Sequence, residues 1–270
     1  MSTDHKCANR AENYGGQPIK IGLFITCLVD LIRPSVAFAA IKLLEEAGCV
    51  VAVPRRQVCC GQPAYNSGDA TSSRKLAMQT IAGFEGFDYV VGPSGSCMAL
   101  IKSEYPKLFE RDPAWHSRAV KLAEKSFELV SFLVDGLGVK NVTASLEGVL
   151  TYHDSCSGLR TLGVKDQPRT LLGTVSGMEI VEMQDSERCC GFGGTFCIKY
   201  PEISTRIVDD KVANIAKSGA SYLAGGDLGC LMNIAGRLSR CGSDVRVYHV
   251  AEVLAGIGER EPICKPDATR

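Results

Sequence analysis

Lys20–Cys27 reads KIGLFITC, an apolar stretch that ends in a cysteine, and Gly148–Cys156 reads GVLTYHDSC, which ends in the same way. Each stretch has the length and the apolar content of a buried strand. A Cys-Cys-Gly triplet follows each of them, beginning at residue 59 in the first case and at residue 189 in the second. Two predicted strands, each followed by the same triplet, indicate a chain built from two copies of one unit.

The offset between the two copies is nearly constant. The cysteines that end the two strands lie 129 residues apart, the triplets 130, and a later pair, Cys97 and Cys230, 133. A tyrosine precedes the later cysteine by eight residues in both copies. Self-similarity at one period indicates duplication. We therefore predict a flexible tail at residues 1–18, a first half at 19–140 and a second half at 141–270.

Short apolar stretches alternate with helical patterns along the chain, which predicts an α/β fold with a mostly parallel sheet and flanking helices in each half. In the first half we predict strands at 20–26, 49–53 and 87–92, and helices at 34–47, 69–83, after Cys97 and at 117–135. In the second half we predict strands at 148–153, 178–183, 220–224 and 245–248, and helices at 167–176, 201–218, 230–238 and 249–256.

Composition and charge argue against several classes of protein. The chain has 270 residues, of which 45% are hydrophobic, and 30 basic side chains balance 30 acidic ones. A net charge of zero without a basic run argues against nucleic-acid binding and a membrane-surface patch. No stretch approaches the roughly 18 consecutive apolar residues of a membrane span. The polar amino-terminal stretch has no signal-peptide pattern, so we expect a cytoplasmic protein without a membrane span.

Thirteen cysteines in a chain without an export signal are expected to be thiols, metal ligands or catalytic groups rather than disulfides. Eight of them fall into two equally spaced sets. We define the first cysteine set as Cys27, Cys59, Cys60 and Cys97, and the second cysteine set as Cys156, Cys189, Cys190 and Cys230. Each member is predicted just past the carboxyl end of a strand, where open α/β sheets assemble their sites. We therefore predict that each set converges on one metal site.

Four thiolates suit a soft metal centre, either an iron–sulfur cluster or zinc. The adjacent pairs favour a cluster, because neighbouring cysteines point in divergent directions and more easily ligate two irons than one zinc. Glycines beside the pairs, such as Gly61 and Gly191, let the backbone approach the inorganic group and direct N–H groups toward its sulfurs. Zinc stays open as the alternative metal.

The two cysteine sets, together with the stretches YHDSC at 152–156 and CCGFGGTF at 189–196, resemble the motif of the cysteine-rich CCG-domain proteins. The resemblance covers nearly the whole chain and both copies. This family is similar to iron–sulfur subunits of lactate-oxidising systems, glycolate oxidase and heterodisulfide reductase. The resemblance implies one or two [4Fe–4S] clusters per chain and electron transfer in a cytoplasmic system that oxidises L-lactate to pyruvate. The implied partners are a ferredoxin-domain iron–sulfur protein and a third protein of the same system.

The chain departs from the fullest family motif at one position in each half. Ser94 and Asp227 stand where the final Cys-x-x-Cys has its first cysteine. In heterodisulfide reductase the five-cysteine form is associated with a non-cubane cluster that acts on disulfides, so four-cysteine sets count against that chemistry. A thiol–disulfide reductase subunit and a zinc-stabilised scaffold of a redox complex are the alternative functions. We expect Ser94 and Asp227 to be turn residues rather than oxygen ligands.

Other residues near the motifs are weaker candidates. His153 either tunes the cluster or relays a proton, or is an ordinary hydrogen-bonded core histidine, and both interpretations stay open. Arg33 and Arg160 are expected on the surface rather than on a substrate carboxylate. Cys197 is expected to be a small core residue. Four cysteines without a counterpart in the other half are expected to take no part in either site: Cys7, Cys49, Cys241 and Cys264.

Overall fold

The computed structural model describes residues 16–256 and 261–263. The predictions for Cys7, for Cys264 and for most of the tail fall outside the described residues. In the first half the strands are β1 (Lys20–Leu23), β2 (Val50–Ala52), β3 (Tyr89–Gly92) and β4 (Ser126–Glu128). The helices are α1 (Cys27–Ile32), α2 (Ser35–Glu46), α3 (Gln62–Asn66), α4 (Ala70–Phe84), α5 (Gly95–Ala99), α6 (Tyr105–Leu108), α7 (Pro113–Glu124) and α8 (Leu129–Ser131).

The second half has the same plan. Its strands are β5 (Ser145–His153), β6 (Ser176–Ile180), β7 (Tyr222–Gly225) and β8 (Arg246–His249). Its helices are α9 (Cys156–Leu162), α10 (Asp166–Leu172), α11 (Phe196–Lys199), α12 (Pro201–Lys217), α13 (Leu228–Arg240) and α14 (Val250–Leu254). Two π-helical segments, Leu100–Glu104 and Phe132–Gly136, occur in the first half.

Both sheets have four parallel strands in the same order. The first runs β2-β1-β3-β4 and the second β6-β5-β7-β8, so each strand occupies the position of its counterpart in the other half. The register pairs Ile21 with Val51 and Tyr89 in the first sheet, and Leu150 with Ile180 and Tyr222 in the second. The predicted α/β class and the duplication are therefore confirmed.

Polar caps turn the chain from strand to helix at the carboxyl edge of each sheet. The Thr26 hydroxyl accepts a hydrogen bond from the Val29 N–H at 3.4 Å, and the Ser155 hydroxyl accepts one from the Gly158 N–H at 3.3 Å. Such caps satisfy backbone donors that have no partner within the helix. The first residue of each capped helix is a motif cysteine, because α1 begins at Cys27 and α9 at Cys156.

The prediction of a single helix at 117–135 is wrong. The stretch contains the edge strand β4 between α7 and α8, followed by a π-helical segment. A strand of three residues is too short to show a period of two, and the helical patterns on both sides conceal it. The short helices α3 and α11, each of which follows a Cys-Cys-Gly triplet, were also not predicted.

One apolar core joins the two halves. Leu23 and Leu44 of the first half belong to the same buried cluster as Leu150, Val250 and Leu254 of the second. Helix α2 packs against α14, and α5 packs against α9. The burial of apolar side chains from both copies in one core fixes the two sheets relative to each other. The carboxyl edges that carry the cysteines are held by this shared core.

The α5–α9 contact gives a testable prediction about stability. A Cβ at Gly95 would lie 2.9 Å from the Gly158 Cα and 3.0 Å from the Ser155 hydroxyl, so Gly95→Ala forces the helices apart. We expect a loss of about 1–3 kcal/mol in the free energy of unfolding, measured with urea. Gly83→Ala is the control, because Gly83 lies in α4 with no atom within 4 Å, and alanine should add about 0.5–1 kcal/mol. Equal stability of the two variants would show that the helices do not meet here.

Candidate metal centres

The first cysteine set comes together at the carboxyl edge of the first sheet. Cys27 begins α1, the adjacent pair lies between β2 and α3, and Cys97 lies in α5. The Sγ atoms of Cys27 and Cys59 are 3.7 Å apart, and those of Cys60 and Cys97 are 3.3 Å apart. Cys60 and Cys97 are buried, whereas Cys27 and Cys59 are half-buried. The structure therefore brings together the four residues that the spacing predicted.

The sulfurs of the first set alter one another's pKa values. The hydrogen bonds from Cys27 and Cys60 lower the pKa of Cys59 to about 2. The bond with Cys59, followed by burial, raises the pKa of Cys27, and bonds with Cys59 and Cys97 raise the pKa of Cys60. A negative charge on one sulfur of the set therefore disfavours a charge on the neighbouring sulfurs, since like charges repel each other. A bound cation would remove this repulsion.

The second cysteine set repeats the arrangement at the edge of the second sheet. Cys156 begins α9, the adjacent pair lies between β6 and α11, and Cys230 lies in α13. One ring nitrogen of His153 and the Sγ atoms of Cys190 and Cys230 all lie within 4.8 Å of one another. A contact with Cys190, followed by burial, raises the pKa of Cys189. Cys190 and Cys230 are buried, and Cys156 and Cys189 are half-buried.

Glycine in the left-handed region directs a backbone N–H toward a sulfur in both sets. Gly61 has φ of 93° and its N–H donates to the Cys59 Sγ at 3.5 Å, and Gly191 has φ of 82° and donates to the Cys189 Sγ at 3.3 Å. A Cβ at Gly191 would lie 2.6 Å from the Ser204 carbonyl oxygen. N–H donors of this kind stabilise thiolate and therefore support bound metal.

Different side chains hold the second cysteine of each pair in place. The Tyr105 hydroxyl donates to the Cys60 carbonyl at 2.6 Å, whereas the Asn233 amide donates to the Cys190 carbonyl at 2.8 Å. These hydrogen bonds hold the backbone of the adjacent cysteines in place. Neither residue is recognisable from the sequence, because the two halves use different residue types at different positions.

A buried lysine lies near the second set. Lys211 of α12 is fully buried, and its Nζ donates to the carbonyl oxygens of Asp185 and Ser186 at 2.8 and 3.0 Å. Burial lowers the pKa of Lys211 to about 8, while the nearby Cys190 raises it, so the ammonium stays largely charged at neutral pH. A lysine on the buried face of α12, beside Val212, was the sequence signal that could have identified it.

His153 lies at the end of β5 with 1% of its surface exposed. Burial, followed by the nearby Lys211 charge, lowers the pKa of His153 to about 3, against smaller raising contributions from Asp154 and Ser186. The ring is therefore neutral. The Asp154 carboxylate is engaged by Arg169, whose NH1 and NH2 donate at 2.9 and 2.8 Å.

A cavity of about 330 Å³ lies between the two halves, over the first set. All four cysteines of that set border the cavity, together with Phe192 and Ile198 of the second half. Cys197 also borders the cavity, so the expectation of a core residue is wrong for it: it is half-buried and faces the set of the other copy. The loop after the second triplet therefore closes the first site.

Ser94 and Asp227 contact each other across the boundary between the halves. The Asp227 carboxylate accepts hydrogen bonds from the Ser96 N–H at 2.9 Å and from the Ser94 hydroxyl at 3.3 Å. Ser94 also caps α5 by accepting from the Cys97 N–H. The Ser94 hydroxyl and one oxygen of Asp227 are thus engaged by groups of the protein, as is typical of turn residues. Both residues also border the cavity over the first set.

The arginines after the motif cysteines differ in their surroundings. Arg33 is an interface residue, because its Nε donates to the fully buried Glu252 carboxylate at 2.9 Å, so the expectation of a surface charge is wrong. Arg160 lines an open groove of about 800 Å³ with Arg169 and Arg188. Among the other cysteines, Cys49 is buried in the shared core and Cys241 is exposed.

Comparison with protein families identifies the two copies. The family model described as the cysteine-rich domain, CCG, matches residues 21–102 and 150–235. The chain belongs to the CCG cysteine-rich domain family. The two matched CCG ranges contain all eight cysteines of the two sets, and they also contain His153 and Cys197.

Curated proteins similar in sequence to this chain match most of its length. Lactate utilization protein A of Oceanobacillus iheyensis is 50% identical over 236 residues, which cover 87% of this chain and 96% of that protein. Lactate utilization protein A of Geobacillus kaustophilus is also 50% identical over 236 residues, which cover 87% of this chain and 98% of that protein. The similarity therefore spans both CCG copies.

A crystal structure shares the fold. A hypothetical protein from Helicobacter pylori superposes with a TM-score of 0.58 and 11% identity, covering 91% of this chain and 50% of that one. At this identity the likeness concerns the fold alone. Within the described part of the CCG chain, no helix combines the length and the apolarity that crossing a bilayer requires.

The CCG donor sets fit a soft metal centre. The first copy brings four thiols to one cavity, and the second brings Cys190 and Cys230 within 4.8 Å of each other beside His153. Each copy also supplies an N–H donor to a cysteine sulfur and keeps two of its four cysteines buried. Thiolates are the ligands of iron–sulfur clusters and of structural zinc. The residues present are therefore able to hold the metal centre that the cysteine-rich family implies.

Proposed function

We propose that the chain is an iron–sulfur electron-transfer subunit of a cytoplasmic system that oxidises L-lactate to pyruvate. The observation that carries the proposal is the convergence of cysteine thiols at the same sheet edge in both halves. All four thiols of the first set line one cavity, and in the second half Cys190 and Cys230 lie within 4.8 Å of each other. The first cysteine set would hold one cluster, of the [4Fe–4S] type, and the second would hold another metal centre. A bound cluster supplies reversible one-electron storage.

The proposed substrate class rests on the similarity of this chain to curated relatives. The curated relatives carry the name lactate utilization protein A and match nearly their full length. Oxidation of lactate to pyruvate releases two electrons and two protons, and the electrons must pass to a redox acceptor. We propose that a ferredoxin-domain iron–sulfur protein exchanges electrons with this chain and that a third protein of the system completes the assembly.

The burial pattern supports electron exchange with a partner. In each set the two deeper cysteines are buried and the other two are half-buried, so one side of each centre faces the surface. Two half-buried cysteines, Cys27 and Cys59, also border an open groove of about 390 Å³. A partner that docks at this edge would bring its own redox centre close. The buried Lys211 offsets negative charge at the second set.

The alternative functions have less support. Disulfide reduction through a five-thiolate cluster would need a further cysteine at position 94 or 227, and those residues are hydrogen-bonded to each other instead. A zinc-stabilised scaffold is the stronger alternative, because the histidine beside Cys190 and Cys230 makes a donor set that zinc also accepts.

Anaerobic purification tests the proposal. We expect protein isolated without oxygen to contain iron and acid-labile sulfide, and to give an EPR signal that changes on reduction. The signal should be unaffected by an added thiol substrate and should respond to the reduced partner protein. Zinc without sulfide would overturn the electron-transfer function and favour the scaffold. A signal perturbed by thiol would favour disulfide chemistry.

A further inference from the structure

His153 is a buried side chain whose hydrogen-bonding groups are not satisfied by the polypeptide. Neither Nδ1 nor Nε2 has a hydrogen-bond partner among the residues that the structure describes. The side chain is 1% exposed, so bulk water does not reach the ring. Leaving a buried polar group unsatisfied costs about 1–3 kcal/mol, and native structures rarely retain such groups without a reason. An unsatisfied buried nitrogen of this kind is open to a group that is not part of the polypeptide.

The polar groups next to His153 are already engaged elsewhere. The Ser186 carbonyl accepts from the Asp154 N–H at 3.2 Å and from the Lys211 Nζ at 3.0 Å, which uses both of its lone pairs. The Asp154 carboxylate is held by Arg169 through two bonds. Both of these acceptors are therefore already engaged by donors other than His153.

The position of the ring points to a metal. A ring nitrogen of His153 lies within 4.8 Å of both the Cys190 and the Cys230 Sγ, and these two sulfurs lie within the same distance of each other. Metal–nitrogen and metal–sulfur bonds measure about 2.0–2.3 Å, so one ion placed among the three atoms reaches all of them with small side-chain adjustments. A neutral imidazole is a common ligand of iron and zinc.

The first half provides an internal comparison. His153 stands three residues before Cys156, and the residue three before Cys27 is Phe24. Phe24 is fully buried and packs its ring 5.6 Å from that of Phe84. The duplicated strand thus ends in an apolar side chain at the first set and in a nitrogen donor at the second. Packing alone does not require a histidine at this position, since phenylalanine fills it in the other copy.

We infer that His153 ligates the metal centre of the second cysteine set through a ring nitrogen, an inference that rests on the proposed function because it takes that set to hold a metal. The two centres are therefore chemically different, one all-thiolate and the other of mixed nitrogen and sulfur ligation. Replacing a thiolate by a neutral imidazole removes negative charge from an iron–sulfur centre and raises its reduction potential.

The ligands of the metal can be identified spectroscopically. The full chain is purified anaerobically in a Cys60→Ser background, which disables the first set, with ¹⁵N-labelled histidine. Pulsed EPR for iron, or X-ray absorption for either metal, should detect nitrogen bound to the metal. The nitrogen signal should disappear in His153→Phe, which reproduces the first half. It should persist in His116→Phe, the same change in α7 at a histidine that borders neither set.

A second variant covers the case in which His153→Phe does not fold. His153→Cys should retain the metal, lose the nitrogen signal and shift the midpoint potential of the second centre to more negative values. A wild-type metal centre with sulfur ligands only, or a nitrogen signal that persists in His153→Cys, overturns the inference and leaves the proposed function standing. A protein that binds neither iron nor zinc under anaerobic conditions overturns both.

Discussion

Cys190→Ala should abolish growth on lactate while growth on glucose continues, in a strain whose only copy of this protein is the variant. Cys190 is 3% exposed and lies among Cys230, His153 and the charge of Lys211. Removing its sulfur takes away the ligand at the centre of the second set, and the neighbouring thiols cannot move into its place within a packed interior. The variant purified without oxygen should lack the metal of the second set and its EPR signal.

Cys49→Ala is the matched control for this experiment. Cys49 is also buried, at 6% exposure, but it packs into the shared apolar core away from both cysteine sets. Both substitutions remove one buried sulfur, so a general loss of stability would affect them alike. We expect Cys49→Ala to keep the metal and growth on lactate. Growth of the Cys190→Ala strain at the wild-type rate, with its protein present at the normal level, would refute the electron-transfer role.

The sequence was sufficient to predict the duplicated fold and both cysteine sets. Three landmarks at a nearly constant offset identify two copies, and the strand-end position of each cysteine follows from the general architecture of parallel sheets. These inferences depend on local sequence and on symmetry alone. The ligand role of the cysteines stays a prediction, since only the convergence of their side chains is seen.

The contacts between the copies could not be predicted in the same way. A repeat in sequence does not specify which surfaces of the two units meet, so nothing indicated that Cys197 would face the first set. The pairing of Ser94 with Asp227 likewise joins residues 133 positions apart through a packing arrangement. Lys211 had a local signal, a charge on an apolar helix face, but its carbonyl partners come from a distant loop. Strand β4 was too short to be recognised.

Arg33→Met should destabilise the folded protein by about 3–5 kcal/mol, because it leaves the fully buried Glu252 carboxylate without its cation. The Arg33 Nε lies 2.9 Å from Glu252, and the Ser35 hydroxyl donates to the same carboxylate at 2.6 Å. Hydrogen bonds from neutral donors do not balance a negative charge removed from water. The pair joins the end of α1 to α14, so the loss should appear as a lower urea midpoint for the whole chain.

Two further variants separate the buried charge from other effects of the substitution. Lys107→Met removes a cation whose side chain is 61% exposed and pairs with Glu104 at 2.9 Å, and it should cost at most about 1 kcal/mol. Arg33→Met combined with Glu252→Gln should recover part of the lost stability, because the double variant no longer buries an unpaired charge. If Arg33→Met and Lys107→Met were equally mild, the Glu252 carboxylate would be reached by water, and the interface between the two CCG copies would be looser than its packing indicates.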